Sequence, residues 1–205
     1  MLRRVLPLGF VVWVSLSSMA SGLTAGGSVW LSTLQMDTVN GIIETYNLAN
    51  EASIGALKIG VGGQAEVRLP LGKGGVASFL GVRAELARAA SDRETVLASL
   101  VGPYVGVSYG LGSWSGAIDV GAYRGGFEFP EGRYASLVGW DVGLVARLSY
   151  SLQLVRAVEA DVALITSWLP TTRLTDAEGG LYGARDGSFL DFSGFGFSIG
   201  VSWGF

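Results

Sequence analysis

The last eleven residues, FGFSIGVSWGF from Phe195 to Phe205, alternate without a break. Phe195, Phe197, Ile199, Val201, Trp203 and Phe205 share one face; Gly196, Ser198, Gly200, Ser202 and Gly204 share the other. Successive side chains of a strand point to opposite sides, so a period of two gives one bulky apolar face and one nearly bare face. A tilted strand needs about 9–11 residues to cross a bilayer, and this stretch has that length. The rest of the chain must supply neighbours for such a strand.

Composition agrees with a membrane setting reached without a membrane helix. Charged residues are 15 % of the 205, against about 25 % in a typical soluble domain. Mean hydropathy is +0.44. Yet beyond the N-terminus no run of about 18 uncharged apolar residues occurs; the most apolar later segment, Val155 to Leu169, carries Arg156, Glu159 and Asp161. Hydrophobicity spread through alternating strands fits a membrane barrel. Glycine is 32 of 205, more than double the usual ~7 %, as a crowded inner wall of small residues would require.

Two absences bear on chemistry. The chain has no cysteine, which excludes disulfides, thiolate metal sites, cysteine nucleophiles and a lipidated cysteine. It has no histidine either, the side chain whose ordinary pKa lies nearest neutrality. The formal charge is −3, and no basic patch points to nucleic acid.

Residues 1–20 read as a cleaved secretory signal peptide: Arg3 and Arg4 begin it, Val5 to Leu16 is mostly apolar, and Ser18-Met19-Ala20 offers small residues for cleavage. Residues 21–205 are then one domain. Ser28 to Gln35 is predicted as the first strand, its facing blurred by Val29, Trp30 and Leu31. The one helical pattern follows: Asp37 as N-cap, then Val39, Ile42, Ile43 and Tyr46 on one side, ending near Asn47 to Asn50. This short helix belongs to the first outer loop, its apolar stripe packed on the barrel's own residues.

Six more strands precede the last. They are predicted over Leu57 to Leu71, Val76 to Ala87, Val96 to Leu111, Trp114 to Tyr123, Tyr134 to Tyr150 and Arg156 to Trp168. The links after the second, fourth and sixth strands are short; one is Gly112-Ser113, another Ser151 to Leu154. Those after the first, third, fifth and seventh are longer, including Arg124 to Arg133 and the polar loop Leu169 to Ser188. Alternating short and long links are the rule for outer-membrane barrels and put both termini on the periplasmic side. The expected fold is therefore an all-β, transmembrane, antiparallel up-and-down barrel of eight strands. GVGG, Gly60 to Gly63, sits mid-strand without a following helix, so it reads as small wall residues and not as a phosphate loop.

Alternation leaves open which face is inside. The predicted secretion and the Gly, Ala and Ser of the non-apolar faces place the apolar face outward. Lys58, Glu66, Arg68, Arg83, Glu85, Asp119, Asp141, Arg147, Glu159 and Asp161 then form a lumen charge network, and Leu57 faces lipid. An unpaired buried charge costs several kcal/mol, so pairing is expected. Tyr109, Trp114, Tyr150 and Trp203 near periplasmic strand ends, with Trp168 near an outer end, are candidates for the aromatic girdles of a membrane barrel.

The terminal strand, ending on Phe205 with Phe197, Ile199, Val201 and Trp203 before it, resembles the C-terminal strand of bacterial outer-membrane β-barrels. The chain as a whole resembles the small barrels of the OmpA-barrel, OmpX and OmpW kind. The resemblance implies that Phe197, Ile199, Val201, Trp203 and Phe205 are the signal read by the barrel-assembly machinery. It also implies an outer-membrane location in a diderm bacterium, with export through the periplasm. Outer-membrane lipid and lipopolysaccharide are the expected surroundings, and the protein is expected to be a monomer. Enzymes among small outer-membrane barrels use histidine as base or proton shuttle. With none here, no enzyme, catalytic residue, metal or cofactor is expected. The expected function is a structural or surface-interaction barrel sealed by ion pairs. The alternative is a narrow channel for small solutes or apolar molecules.

Overall fold

The computed structural model describes residues 23–71, 75–130, 132–183, 185 and 187–205. The proposed signal peptide lies outside the described residues. Eight long strands of the described chain close into one antiparallel ring: β1 (Thr24–Thr33), β2 (Ile59–Pro70), β3 (Val76–Ala90), β4 (Thr95–Leu111), β5 (Trp114–Glu128), β6 (Ser136–Val155), β7 (Val158–Trp168) and β8 (Gly194–Gly204). Each pairs with its sequence neighbours. The ring closes between the first and last strands, from Thr24 opposite Gly204 to Ser32 opposite Gly196. Closure leaves no sheet edge, so the ladder satisfies the backbone groups that lipid could not.

The faces are inverted relative to a soluble barrel. Val142 and Leu164 are 54 % and 63 % exposed, whereas Arg83 and Asp119 are 2 % and 1 % exposed. Such a continuous exposed apolar wall around a polar interior is stable only in lipid, so the barrel spans a membrane. On β1 the wall reads Val29 and Leu31 outward and Trp30 inward and buried, which resolves the blurred facing of that strand.

Several boundaries differ from the sequence expectation. β1 occupies Thr24–Thr33, starting four residues before the predicted Ser28. β5 runs to Glu128, so Gly125 and Gly126 are strand residues and not loop breakers, opposite Gly139 and Val138 of β6. β6 runs past Tyr150 to Val155, and Arg156-Ala157 makes the turn, Val155 facing Val158. An irregularity between Gln153 and Val155 shifts the register there, which masked the turn in the sequence. Leu57 is buried and not on the outer wall. It precedes β2, in the segment returning from the helix.

That helix, α1 (Asp37–Asn50), begins after Met36; Asp37 lies in its first turn and makes no side-chain cap. Its apolar residues Val39 and Ile43 are buried. Thr38 Oγ1 donates to the Ser188 carbonyl at 3.0 Å, and the Tyr46 hydroxyl to Glu94 Oε1 at 2.7 Å. These contacts stretch α1 across the mouth from the last loop to the β3–β4 loop.

The wall is uneven in height. β1, β2, β7 and β8 have 10 to 12 residues, while β3 to β6 have 15 to 20. β7 ends at Trp168 opposite Leu144, so the outer part of β6 lacks a β7 partner. The last loop fills this side. It folds back as Pro170–Thr171 paired with Leu190–Asp191 and Arg173–Thr175 paired with Leu181–Gly183, with Thr175 opposite Val138 of β6. Gly139 and Gly143 permit the approach: a Cβ there would lie 2.1 Å from the Arg173 carbonyl and 2.3 Å from Leu169.

Candidate functional site

The lumen and its outer mouth form the candidate site. From the periplasmic end to about mid-barrel the lumen is filled by ion pairs and aromatic rings. Arg83 is held twice by Asp119, Nη1 to Oδ1 at 2.9 Å and Nη2 to Oδ2 at 3.0 Å. It also donates to the Tyr123 hydroxyl at 2.9 Å and to Gln64 Oε1 at 3.1 Å. Its guanidinium lies 4.6 Å from the ring centre of Tyr104, 5.7 Å from that of Trp30 and 6.0 Å from that of Tyr123. A planar fork that pairs in its plane and stacks on rings above it is a task for arginine, not lysine.

Arg147 continues the network. Its Nη2 donates to Glu66 Oε2 at 2.8 Å, and its Nε stands 3.9 Å from Asp119. The same Glu66 oxygen accepts from the Tyr104 hydroxyl at 2.9 Å, while Glu66 Oε1 accepts from Arg68 Nε at 2.6 Å. Arg147 and Arg68 both lie over the Phe79 ring, at 5.1 and 5.9 Å. Glu85, 4 % exposed, accepts from Ser32 Oγ. Gly60 and Gly62 are the wall residues that make room, since a Cβ would strike Glu85 and the Trp30 ring respectively.

The predicted lumen charges thus divide. Glu66, Arg68, Arg83, Asp119 and Arg147 are brought together in ion pairs. Asp161 lines a small hollow with Glu66, Arg68 and Arg147. Lys58, Asp141 and Glu159 are not in that network. Lys58 is exposed just ahead of β2, and Glu159 is exposed near the β6–β7 turn. Asp141 holds down the last loop, its Oδ2 accepting from the Thr172 N–H at 3.2 Å and hydroxyl at 3.0 Å. Asp141 and Glu159 keep the inward parity of their strands, whereas Lys58 lies outside β2, where Leu57 is buried and Lys58 and Ile59 are both exposed. All three sit too close to an end, or beneath a loop, to enter the central cluster.

Above mid-barrel the chemistry changes. Leu100, Phe127, Leu137, Leu169, Leu174, Leu190 and Phe192 are fully buried and form one apolar cluster with Val39 and Ile43 of α1. Phe127 meets Phe129 and Phe189 with ring centres 5.8 Å apart in each pair. The loop after β7, read as polar from the sequence, supplies much of this plug. Phe189 donates its N–H to the Thr171 carbonyl at 2.8 Å, and Phe192 its N–H to the Leu169 carbonyl at 3.1 Å.

Two asparagines that sequence reasoning passed over lock α1 in place. Asn40 accepts the Leu57 N–H at 2.7 Å and donates to the Leu57 carbonyl at 3.1 Å. Asn47 does the same for Ile54, at 3.0 and 2.9 Å. Each amide side chain acts as a one-residue strand partner for the returning segment. Their seven-residue spacing, which puts both on one helix face, was the available signal.

The residues of the proposed girdles and assembly signal lie on the outer wall. Tyr109, Trp114, Trp168, Phe197, Ile199, Trp203 and Phe205 are exposed there, and Trp114 and Tyr150 pack edge to face at 5.0 Å. Tyr150 and Val201 are half-buried on the same wall.

The closed ring, the apolar exterior and the occupied lumen define an eight-stranded transmembrane β-barrel of the outer-membrane class. No protein-family model matches the sequence, and no curated protein matches it significantly. Among solved structures, the fold is similar to that of Ail, the attachment invasion locus protein of Yersinia pestis, solved with the heparin analogue sucrose octasulfate. That match has 11 % identity over 91 % of this chain and 100 % of Ail, with a TM-score of 0.53. It is similar also to Neisserial surface protein A, at 10 % identity over 89 % of this chain and 97 % of that one, with a TM-score of 0.53. These likenesses concern the fold.

Proposed function

We propose that this protein is a sealed outer-membrane barrel of a diderm bacterium, with a structural or surface-interaction role and no catalytic activity. The observation that carries this reading is the double occlusion of the lumen. The Arg83–Asp119–Arg147–Glu66 cluster blocks the periplasmic half, and a fully buried apolar plug under α1 blocks the outer half. A water column would have to displace both. The absence of histidine and cysteine from the sequence supports the non-enzymatic part. In this reading residues 1–20 are removed on export. The alternating aromatic and aliphatic residues of β8, ending in Phe205, address the chain to the barrel-assembly machinery. Tyr109, Trp114, Tyr150 and Trp203 anchor it at the periplasmic headgroups, with Trp168 at the lipopolysaccharide side. The protein works as a monomer, its partners being lipid, lipopolysaccharide and whatever meets the outer mouth.

Purified protein in planar bilayers tests the seal: silence is the expected result, and stable unitary currents would overturn it. One feature favours a second reading, a sideways path for apolar molecules. The β4–β5 ladder passes from Val101–Arg124 to Tyr104–Gly121 without pairing Gly102 and Pro103, because proline has no N–H to give. A hollow of about 320 Å³ on the lipid side is lined there by Pro103, Tyr104, Gly121 and Ala122, with Tyr104 itself buried beneath it. A disulfide in the variant Pro103→Cys/Ala122→Cys that blocked entry of an apolar fluorophore into vesicles would establish that path.

A further inference from the structure

Arg124 falls in a stretch whose sequence reads as a loop, yet it belongs to β5 and stands exposed on the outer wall. Its ladder neighbours are Val101 of β4 and Trp140 of β6, both exposed on the same wall. A charge facing lipid is costly at mid-membrane and cheap only near the headgroups, where tryptophan also gathers. Arg124 and Trp140 side by side therefore mark the outer headgroup level on this flank. Further out, Gly126 faces Ser99 across the ladder, so the wall beyond Arg124 is nearly bare. Glu128, the next outward carboxylate of β5, is four residues on, about 13 Å along the strand. Among the described residues the Arg124 side chain has no ion pair and no hydrogen bond.

Beneath Arg124 the wall is hollowed. The small Ala122, opposite Val142, and the unpaired Gly102–Pro103 step open the hollow of about 320 Å³ on the lipid side. Val105 and Val120 line it and also line a second, larger groove of about 590 Å³, which continues to Val107 and Ile118. From Arg124 to Ile118 is six residues, about 20 Å of strand. At the usual tilt that is about 15 Å of depth, one leaflet of a hydrocarbon core about 30 Å thick. A cation at headgroup level thus stands over an apolar furrow one leaflet deep. Arg88 is the comparison. It too is an exposed, outward arginine near the outer end of its strand, but β3 pairs with both neighbours without a break.

We propose that this furrow holds one lipopolysaccharide molecule, with a lipid A phosphate on the Arg124 guanidinium and an acyl chain in the hollow between Pro103 and Ala122. A guanidinium fork matches a phosphate with two parallel hydrogen bonds, and the bare strip at Gly126 and Ser99 leaves room for the sugar. The bound chain covers the break in the β4–β5 ladder and so closes the sideways path. The inference rests on the outer-membrane reading, which makes lipopolysaccharide the lipid of the leaflet that Arg124 reaches.

The test uses the mature protein in a maltoside detergent, mixed with one lipid at a time: lipid A, lipid A stripped of its phosphates, or phosphatidylglycerol. Native mass spectrometry reads how much lipid each barrel retains. One lipid A per barrel is expected, held about 10-fold more tightly than the stripped form, the size of a hydrogen-bonded charge contact, and several-fold more tightly than phosphatidylglycerol. Arg124→Gln is expected to lower lipid A affinity about 10-fold. Ala122→Phe, which fills the hollow and leaves the charge alone, is expected to lower it several-fold. Arg88→Gln is expected to leave it within about twofold, because an exposed charge away from the furrow adds only a screened attraction. Gel mobility of unboiled against boiled samples verifies that each variant is a closed barrel. Unchanged retention in a closed Arg124→Gln or Ala122→Phe barrel would overturn the proposal. So would an equal loss in Arg88→Gln and Arg124→Gln, or equal retention of the stripped lipid or of phosphatidylglycerol. Bilayer currents bear on the seal alone, so the two readings fail separately.

Discussion

The periplasmic and outer halves of this lumen are lined by the same kind of wall, inward-facing residues at every second position, yet they are filled in opposite ways. Below mid-barrel, Arg83 and Arg147 knit Asp119, Glu66, Tyr104 and Tyr123 into one cluster. Above it, Phe127, Phe192, Leu174 and Leu190 pack as they would in a soluble core. The lower half is walled by strands on all sides, so whatever enters it comes from the strands, whose inward charges must find one another. The upper half is open to incoming chain on the short side of the wall. A loop and a helix fold into it and exclude water with apolar side chains. The lower filling has little tolerance for loss of one partner; the upper one can yield locally.

Arg83→Met should have the largest effect, a loss of about 3–5 kcal/mol, because it strands the buried Asp119 carboxylate with only Arg147 at 3.9 Å. Denaturant unfolding from liposomes measures it. The double variant Arg83→Met/Asp119→Leu should regain most of the loss, since neither charge is then left alone. If the single variant were neutral, the lower half would not depend on its ion pairs.

Phe192→Ala should cost about 3 kcal/mol, the usual range for truncating a buried aromatic side chain, with a different distribution. Hydrogen exchange should rise over residues 169–193 and α1 while the β1–β8 seam stays protected. Uniform deprotection would mean that the two halves fold as one unit. Asn40→Ala should cost less, about 2 kcal/mol, by leaving the Leu57 N–H and carbonyl without partners. Exchange at the Leu57 amide is the readout, and Asn40→Asp should rescue only the N–H half of the contact.

The smallest effect concerns pH. The backbone N–H of Gly180, at 2.7 Å, and that of Glu178, at 2.9 Å, hold the Asp176 carboxylate below its ordinary range. A carboxylate with a depressed folded-state pKa contributes stability that is present above its unfolded pKa and lost as pH falls through the folded one. The protection of the Gly180 amide, measured against the intrinsic exchange rate at each pH, should therefore fall on acidification below the usual carboxylate range. Asp176→Asn should remove that dependence. An unchanged amide would show that the turn holds without the charge.

Much of the lower half was legible in the sequence. Glu66, Arg68, Arg83, Asp119 and Arg147 occupy inward positions by parity alone, and parity is a local property of a strand. Height along the barrel is not local, because it depends on strand stagger. That is why Asp141 and Glu159 shared the parity but not the cluster, while Lys58 fell ahead of β2 altogether. The upper half was largely hidden. Leu169, Leu174, Phe189, Leu190 and Phe192 are spaced irregularly in and just after a loop whose proline, threonines and glycines read as solvated. Their burial comes from contacts with residues far away in the chain, such as Thr38 with Ser188, 150 positions apart. Gly125 and Gly126 misled in the same way. Gly125 is small because Thr171 presses on it; a Cβ there would lie 2.7 Å from the Thr171 hydroxyl.

By itself the sequence determined the inside-out ring, because alternation, link length and a bare second face are each written over a few neighbouring residues. Only the tertiary structure decided which charges meet, how α1 spans the mouth and where the outer lumen is closed by grease instead of salt. Those outcomes depend on how far each strand slides past the next and on which side of the wall is left low.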